Sequence, residues 1–98
     1  MHSNAKKISI IASTFNEFLV NSMIESSMKT LNNNGYNEEI IDIVRVPGAF
    51  EIPLMAKKIA LSGDYEAIIA LGVIIRGATP HFDFIAAETT SGIMTVAL

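Results

Sequence analysis

The sequence has no cysteine and no tryptophan, and charge is sparse: Asp, Glu, Lys and Arg together make up 17 % of 98 residues. Without cysteine there is no disulfide, no thiolate metal site and no cysteine nucleophile, a composition that fits a reducing cytosol. The two histidines, His2 and His81, stand far apart, and no His or acid cluster has metal-ligand spacing, so no metal is expected. Seven basic residues are scattered among ten acidic ones for a net charge of −3, which leaves no basic footprint for nucleic acid. No apolar run approaches the length needed to cross a membrane. The stretch Ile8 to Ala12, behind Lys6 and Lys7, is too short for a signal-peptide core. These absences lead to the expectation of a soluble cytoplasmic protein.

What the chain has in excess is apolar surface, since half of its residues are hydrophobic. Its length supports one domain, residues 1–98, that buries roughly 60–70 % of its unfolded surface. A chain so apolar and so poor in charge either hides surface against a partner subunit or absent chain, or contains a Val/Ile-rich parallel sheet.

Periodicity orders the elements. Ile8 to Ser13 is a β-branched run that reads as a first strand. Thr14 and Glu17 have capping-box spacing, and Asn16 is a second possible N-cap. Apolar residues at 20, 23, 24, 28 and 31 predict a helix over Phe18 to Leu31, closed by Asn32-Asn33-Asn34-Gly35 with Gly35 left-handed. Ile40 to Val46 reads as strand two, with Asp42 and Arg45 expected as solvated edge residues. Val-Pro-Gly at 46–48 turns the chain into a second helix from Ala49 to about Leu61. Pro53 sits in its first turn, Lys57 and Lys58 suit its C-terminal half, and Ser62-Gly63-Asp64 ends it. Ala67 to Ile75 is apolar enough for a central parallel strand covered on both faces. Thr79 and Pro80 read as N-cap and first residue of a third helix, which stops at Leu98 in mid-pattern. The order β-α-β-α-β-α implies right-handed crossovers and a parallel sheet.

Three loops should therefore gather at the carboxyl edge of the sheet, where open α/β folds bind ligands. Phe15 in the first is either a hydrophobic staple on the next helix or an aromatic plate that could stack on a planar heterocycle. Glu51 in the second is either a helix-start carboxylate or a ligand contact. The third, Gly-Val-Ile-Ile-Arg-Gly-Ala-Thr-Pro-His at 72–81, has the small residues and helix start of an anion site. It is neither a Walker loop nor a dinucleotide fingerprint. His81 suits proton transfer but also reads as an ordinary surface residue, and Arg76 as a phosphate ligand or a structural ion pair.

Val-Pro-Gly-Ala-Phe-Glu-Ile-Pro at 46–53 and Gly-Val-Ile-Ile-Arg-Gly-Ala-Thr-Pro-His-Phe-Asp at 72–83 resemble the two signature stretches of the lumazine synthases, and Phe15-Asn16 fits the same pattern. The resemblance runs over nearly the whole chain. It implies a flavodoxin-like α/β sandwich and, as activity, condensation of 5-amino-6-(D-ribitylamino)uracil with 3,4-dihydroxy-2-butanone 4-phosphate. The products would be 6,7-dimethyl-8-ribityllumazine, phosphate and water, made without a cofactor. By matched position, Phe15 would stack on the pyrimidine, and Ala49, Phe50 and Glu51 would hold the aminouracil and its ribityl chain. Val73, Ile74 and Ile75 would meet the pyrimidine edge through backbone groups. Ala78 and Thr79 would bind the phosphate by backbone N–H, and His81 would shuttle protons. Arg76 is then not the main phosphate ligand.

The resemblance also implies a homo-oligomer, a pentamer or a larger shell, with sites between subunits. Family members continue into a fourth strand and two further helices, which supply a phosphate-binding arginine and a neighbouring subunit's aromatic residue. With three strands and three helices, this chain is expected to be C-terminally truncated. It could then be a non-catalytic remnant that binds a ribityl or phosphate compound or co-assembles with full-length subunits. A small-subunit riboflavin synthase is a further reading.

Overall fold

The computed structural model describes residues 6–74. Strand β1 (Lys7–Ser13), helix α1 (Glu17–Asn33), strand β2 (Ile41–Val46), helix α2 (Ile52–Ser62) and strand β3 (Tyr65–Leu71) follow in order. Short 3-10 turns at Glu38–Ile40 and Ala49–Glu51 precede β2 and α2. The sheet order is β2-β1-β3 and both pairings are parallel. That is the order of the first three strands of a flavodoxin-like sheet, in which the chain steps outward from a central first strand.

β1 is the centre because its side chains are buried on both faces. Alternation sends Ile8, Ile10 and Ala12 to the α1 side, where they pack with Val20, and with Ile24, Met28 and Leu31 further along the helix. Those four helix positions form the apolar stripe that the spacing predicts. Ile11 faces the other way, into a core with Ile52, Ala56 and Ile59 of α2. A three-layer α/β/α sandwich results, each helix covering one face.

The helix ends follow from local chemistry. After α1, Gly35 takes φ +90°; Gly35 N–H donates to Asn32 C=O at 3.2 Å, and Tyr36 N–H to Leu31 C=O at 3.0 Å. This pair of bonds is a Schellman closure, as Gly35 predicts. Gly63 ends α2 in the left-handed region.

Several expectations need correction. The capping box at Thr14 and Glu17 does not form. Asn16 is the N-cap by position, but it lies at φ 56°, ψ 55° and makes no side-chain cap bond. The second helix begins as a 3-10 turn and becomes α-helical only at Ile52. Lys57 and Lys58 precede its last turn, so they gain little from the helix dipole. β3 begins at Tyr65, earlier than predicted, and ends at Leu71 rather than Ile75. A register shift between Lys7 and Ile8 leaves Glu66 as an extra residue in β3. Among the described residues β3 pairs only with β1 and is half-buried, so the centre of this sheet is β1. The apolar run continues past the strand because Val73 packs on the α1-side core and Ile74 on the α2-side core.

β2 is an edge strand among the described residues, with Arg45 exposed and Asp42 partly exposed as expected, and both also have side-chain partners. Asp42 accepts a 2.6 Å hydrogen bond from the Tyr65 hydroxyl and lies 3.6 Å from Lys7 Nζ. The predicted third helix, from Thr79 and Pro80 onward, lies outside the described residues.

Candidate functional site

The carboxyl edge of the sheet brings together the loops after all three strands. The first leaves β1 at Ser13, and its backbone is tied to the second. Thr14 N–H donates to Val46 C=O at 2.7 Å and Phe15 N–H to Pro47 C=O at 3.2 Å; the Thr14 hydroxyl also donates to Pro47 C=O at 3.3 Å. Thr14 is therefore committed to the neighbouring loop, which is why it caps no helix. The Ser13 hydroxyl donates to Phe15 C=O at 3.4 Å. Asn16 then turns the chain through the left-handed region, which asparagine tolerates better than most residues. Phe15 is left at the rim, 50 % exposed, above the cores rather than inside them.

The second loop is built by Pro47, Gly48 and the 3-10 turn. Glu51 N–H donates to Gly48 C=O at 3.2 Å. Glu51 Oε1 lies 3.2 Å from where a Cβ on Gly48 would stand, so the carboxylate folds back over that glycine. Ala49 is buried at 7 %, whereas Phe50 and Glu51 are exposed.

The third segment lies against the second. A Cβ on Gly72 would meet Ala49 Cβ and Ile52 Cδ1, both at 3.2 Å. A side chain here would force Ala49 or Ile52 to give by a few tenths of an ångström, so glycine suits this close approach of the backbone leaving β3 to the start of α2. Phe15, Ala49, Phe50, Glu51, Val73 and Ile74 thus occupy one edge. Ile75, Ala78, Thr79 and His81, together with Arg76, lie outside the described residues. Among the described residues no group of three His, Asp or Glu side chains could hold a metal ion, and no helix is long and apolar enough to cross a membrane.

One residue at this edge was not marked by sequence reasoning. Arg45, next to last in β2, donates from Nη2 to Ser13 C=O and from Nη1 to Asn21 Oδ1, each at 3.1 Å. Glu17 Oε1 is 4.0 Å from Nη2. Its register partner on β1 is Ala12, whose small side chain leaves room for the arginine stem. That pairing is a signal only once the register is known.

Fold and edge together define a parallel α/β protein whose strand-end loops interlock at one side of the sheet. The chain belongs to the 6,7-dimethyl-8-ribityllumazine synthase family, whose sequence model matches residues 5–98. A 6,7-dimethyl-8-ribityllumazine synthase of Pelodictyon phaeoclathratiforme is 53 % identical over 97 residues, which cover 97 % of this chain and 63 % of that protein. The protein of the same name from Chlorobium phaeovibrioides is 50 % identical over 94 % of this chain and 59 % of its own length. That of Desulfosudis oleivorans is 46 % identical over the whole of this chain and 62 % of its own length. The chain thus spans about six-tenths of the length of the curated relatives it matches.

Proposed function

We propose that this chain carries the reacting half of a lumazine synthase site in riboflavin biosynthesis. In this reading it joins 5-amino-6-(D-ribitylamino)uracil to 3,4-dihydroxy-2-butanone 4-phosphate and releases 6,7-dimethyl-8-ribityllumazine, phosphate and water. The observation that carries the reading is the interlocking of the Phe15 loop with the Pro47–Glu51 loop, within a chain of this family. A half-exposed Phe15 ring at the rim favours the stacking plate over the hydrophobic staple. Glu51, exposed on the second loop, would accept from ribityl hydroxyls. Val73 and Ile74 send their side chains into opposite cores, which leaves main chain to meet a pyrimidine edge. Ile75 would continue that edge. Ala78 and Thr79 would bind the phosphate by backbone N–H, and His81 would move protons.

The chemistry needs no more than this. The 5-amino group adds to the ketone and water leaves to give an imine. Elimination of phosphate leaves an enol that becomes a ketone, and attack of the ribitylamino nitrogen on that carbonyl, with loss of a second water, completes the lumazine. Each step moves a proton, and holding both substrates together supplies much of the acceleration. His81→Ala is therefore expected to slow turnover by roughly 10²-fold without abolishing it, the low end for general acid–base catalysis.

Supplying both substrates to the chain and following lumazine absorbance tests the reading. Lumazine formation supports it. Ligand binding without turnover replaces it with a binding role. Neither binding nor turnover overturns both. We further propose a cytoplasmic homo-oligomer, a pentamer or larger shell. The absence of cysteine suits the location, and exposed Phe18, Leu54 and Leu61 suit an assembly. Sedimentation of a monomer at micromolar concentration would contradict the assembly.

A further inference from the structure

We propose that Arg45 is a positioning residue that sets where the Phe15 ring stands, an inference that rests on the reading of this edge as a ligand site. The loop of residues 14–16 has almost no internal hydrogen bonding beyond the Ser13 hydroxyl to Phe15 C=O. Its geometry is imposed from outside. Arg45 ties the strand before it to the helix after it: Ser13 C=O, where β1 stops, and Asn21 in the second turn of α1. Glu17, the first residue of α1, balances the charge from 4.0 Å. The guanidinium therefore spans the loop like a strut, and its planar fork fixes two acceptors in one geometry, which a lysine cannot do.

The next residues of the same strand and turn, Val46 and Pro47, supply the carbonyls that receive the Thr14 and Phe15 N–H groups. Three consecutive residues at the end of β2 thus hold the β1–α1 loop. Arg45 is the one whose side chain does so, and its bond to Ser13 C=O is the part-buried one of the two. Loss of the strut would free the loop about its left-handed turn at Asn16 and let the Phe15 ring leave its place.

The test uses the whole chain with Arg45→Met, which keeps the stem and removes the donors, and with Arg45→Lys. Amide hydrogen exchange read by NMR needs no ligand. In Arg45→Met, protection of Thr14 and Phe15 should fall by about tenfold, while Ile10 and Ile11 in the centre of the sheet stay unchanged. Affinity for 6,7-dimethyl-8-ribityllumazine, titrated by its own absorbance, should fall by roughly five- to tenfold, with partial rescue in Arg45→Lys. Unchanged exchange at Thr14 and Phe15 overturns the strut. An equal rise at Ile10 and Ile11 reduces Arg45 to a general stabiliser and overturns it as well. Looser exchange with unchanged affinity removes the positioning role. If the unaltered chain binds no lumazine, the ligand reading fails instead, and the exchange measurement still decides the strut.

Discussion

The same three strands end in two different ways. At the amino edge of the sheet, side chains hold the strands together: Lys7 of β1 and Tyr65 of β3 both reach Asp42 of β2. At the carboxyl edge, main chain does most of the holding. Thr14 and Phe15 donate to carbonyls of the next loop, Gly72 lies against Ala49 and Ile52, and one arginine braces the turn. The amino edge joins all three strands through the Asp42 carboxylate. The carboxyl edge uses its backbone for cohesion, which leaves Phe15 and Glu51 exposed at the rim for another task.

The comparison breaks most severely if the floor of the carboxyl edge is removed. Ile52 is 2 % exposed beneath the 3-10 turn and Gly72, so Ile52→Ala should cost about 2–4 kcal/mol in urea unfolding. Because the first loop hangs from the second, amide exchange at Thr14 and Phe15 should rise in the same variant. A rise confined to the second loop would show that the two are independent. Gly72→Ala is the next largest. Its new methyl meets carbon atoms at 3.2 Å on two sides, one of them an alanine that cannot swing away. About 1–3 kcal/mol of overpacking is expected. A neutral result would mean that this contact is looser than its distances imply. Asn16→Val should cost about 1–2 kcal/mol, since a β-branched residue is forced to φ 56°, while Asn16→Gly stays near the parent stability. Equal stability of the valine and glycine variants would remove the turn from the list of features that shape this edge.

The layout behind this comparison was legible in the sequence, whereas the ties across it were not. The β1 run, the stripe Val20-Ile24-Met28-Leu31, the closure at Gly35 and the collection of Phe15 and Ala49-Phe50-Glu51 at one edge follow from local periodicity and strand direction, whereas periodicity alone keeps Val73 and Ile74 inside strand three. Thr14 and Glu17 have the spacing of a capping box, yet Thr14 bonds to Pro47, thirty-three positions away in sequence. Arg45 reads as a solvated edge residue until Ala12 is known to stand opposite and Ser13 C=O within reach. The bulge at Glu66 depends likewise on how β3 registers against β1. In each case the deciding partner sits on another element, and no local pattern encodes it. The family signatures at 46–53 and 72–83 compensate in part, because they mark positions whose roles arise only after folding.

The smallest expected effect lies at the amino edge and asks whether its side chains form one unit. The hydrogen bond to Asp42 is the main reason the Tyr65 phenol titrates above its ordinary value of 10.0; desolvation and the charges of Asp42 and Asp64 act in the same direction. The bond needs the phenol proton, so the folded state favours the protonated form. Its contribution is therefore fully present below pH 10 and is lost as pH rises through the raised pKa. Tyr36 is the other tyrosine, so a Tyr36→Phe background isolates Tyr65 in the ultraviolet tyrosinate signal. Adding Asp42→Asn to that background should bring the midpoint part of the way back toward the ordinary value, because the amide is a weaker acceptor and carries no charge. Lys7 is half-exposed in its pair with Asp42, so Lys7→Met should move the midpoint far less and change stability by less than about 1 kcal/mol. A Tyr65 midpoint that ignores Asp42→Asn would show that the amino edge is not joined by these side chains, and the contrast with the carboxyl edge would then rest on backbone alone at both ends.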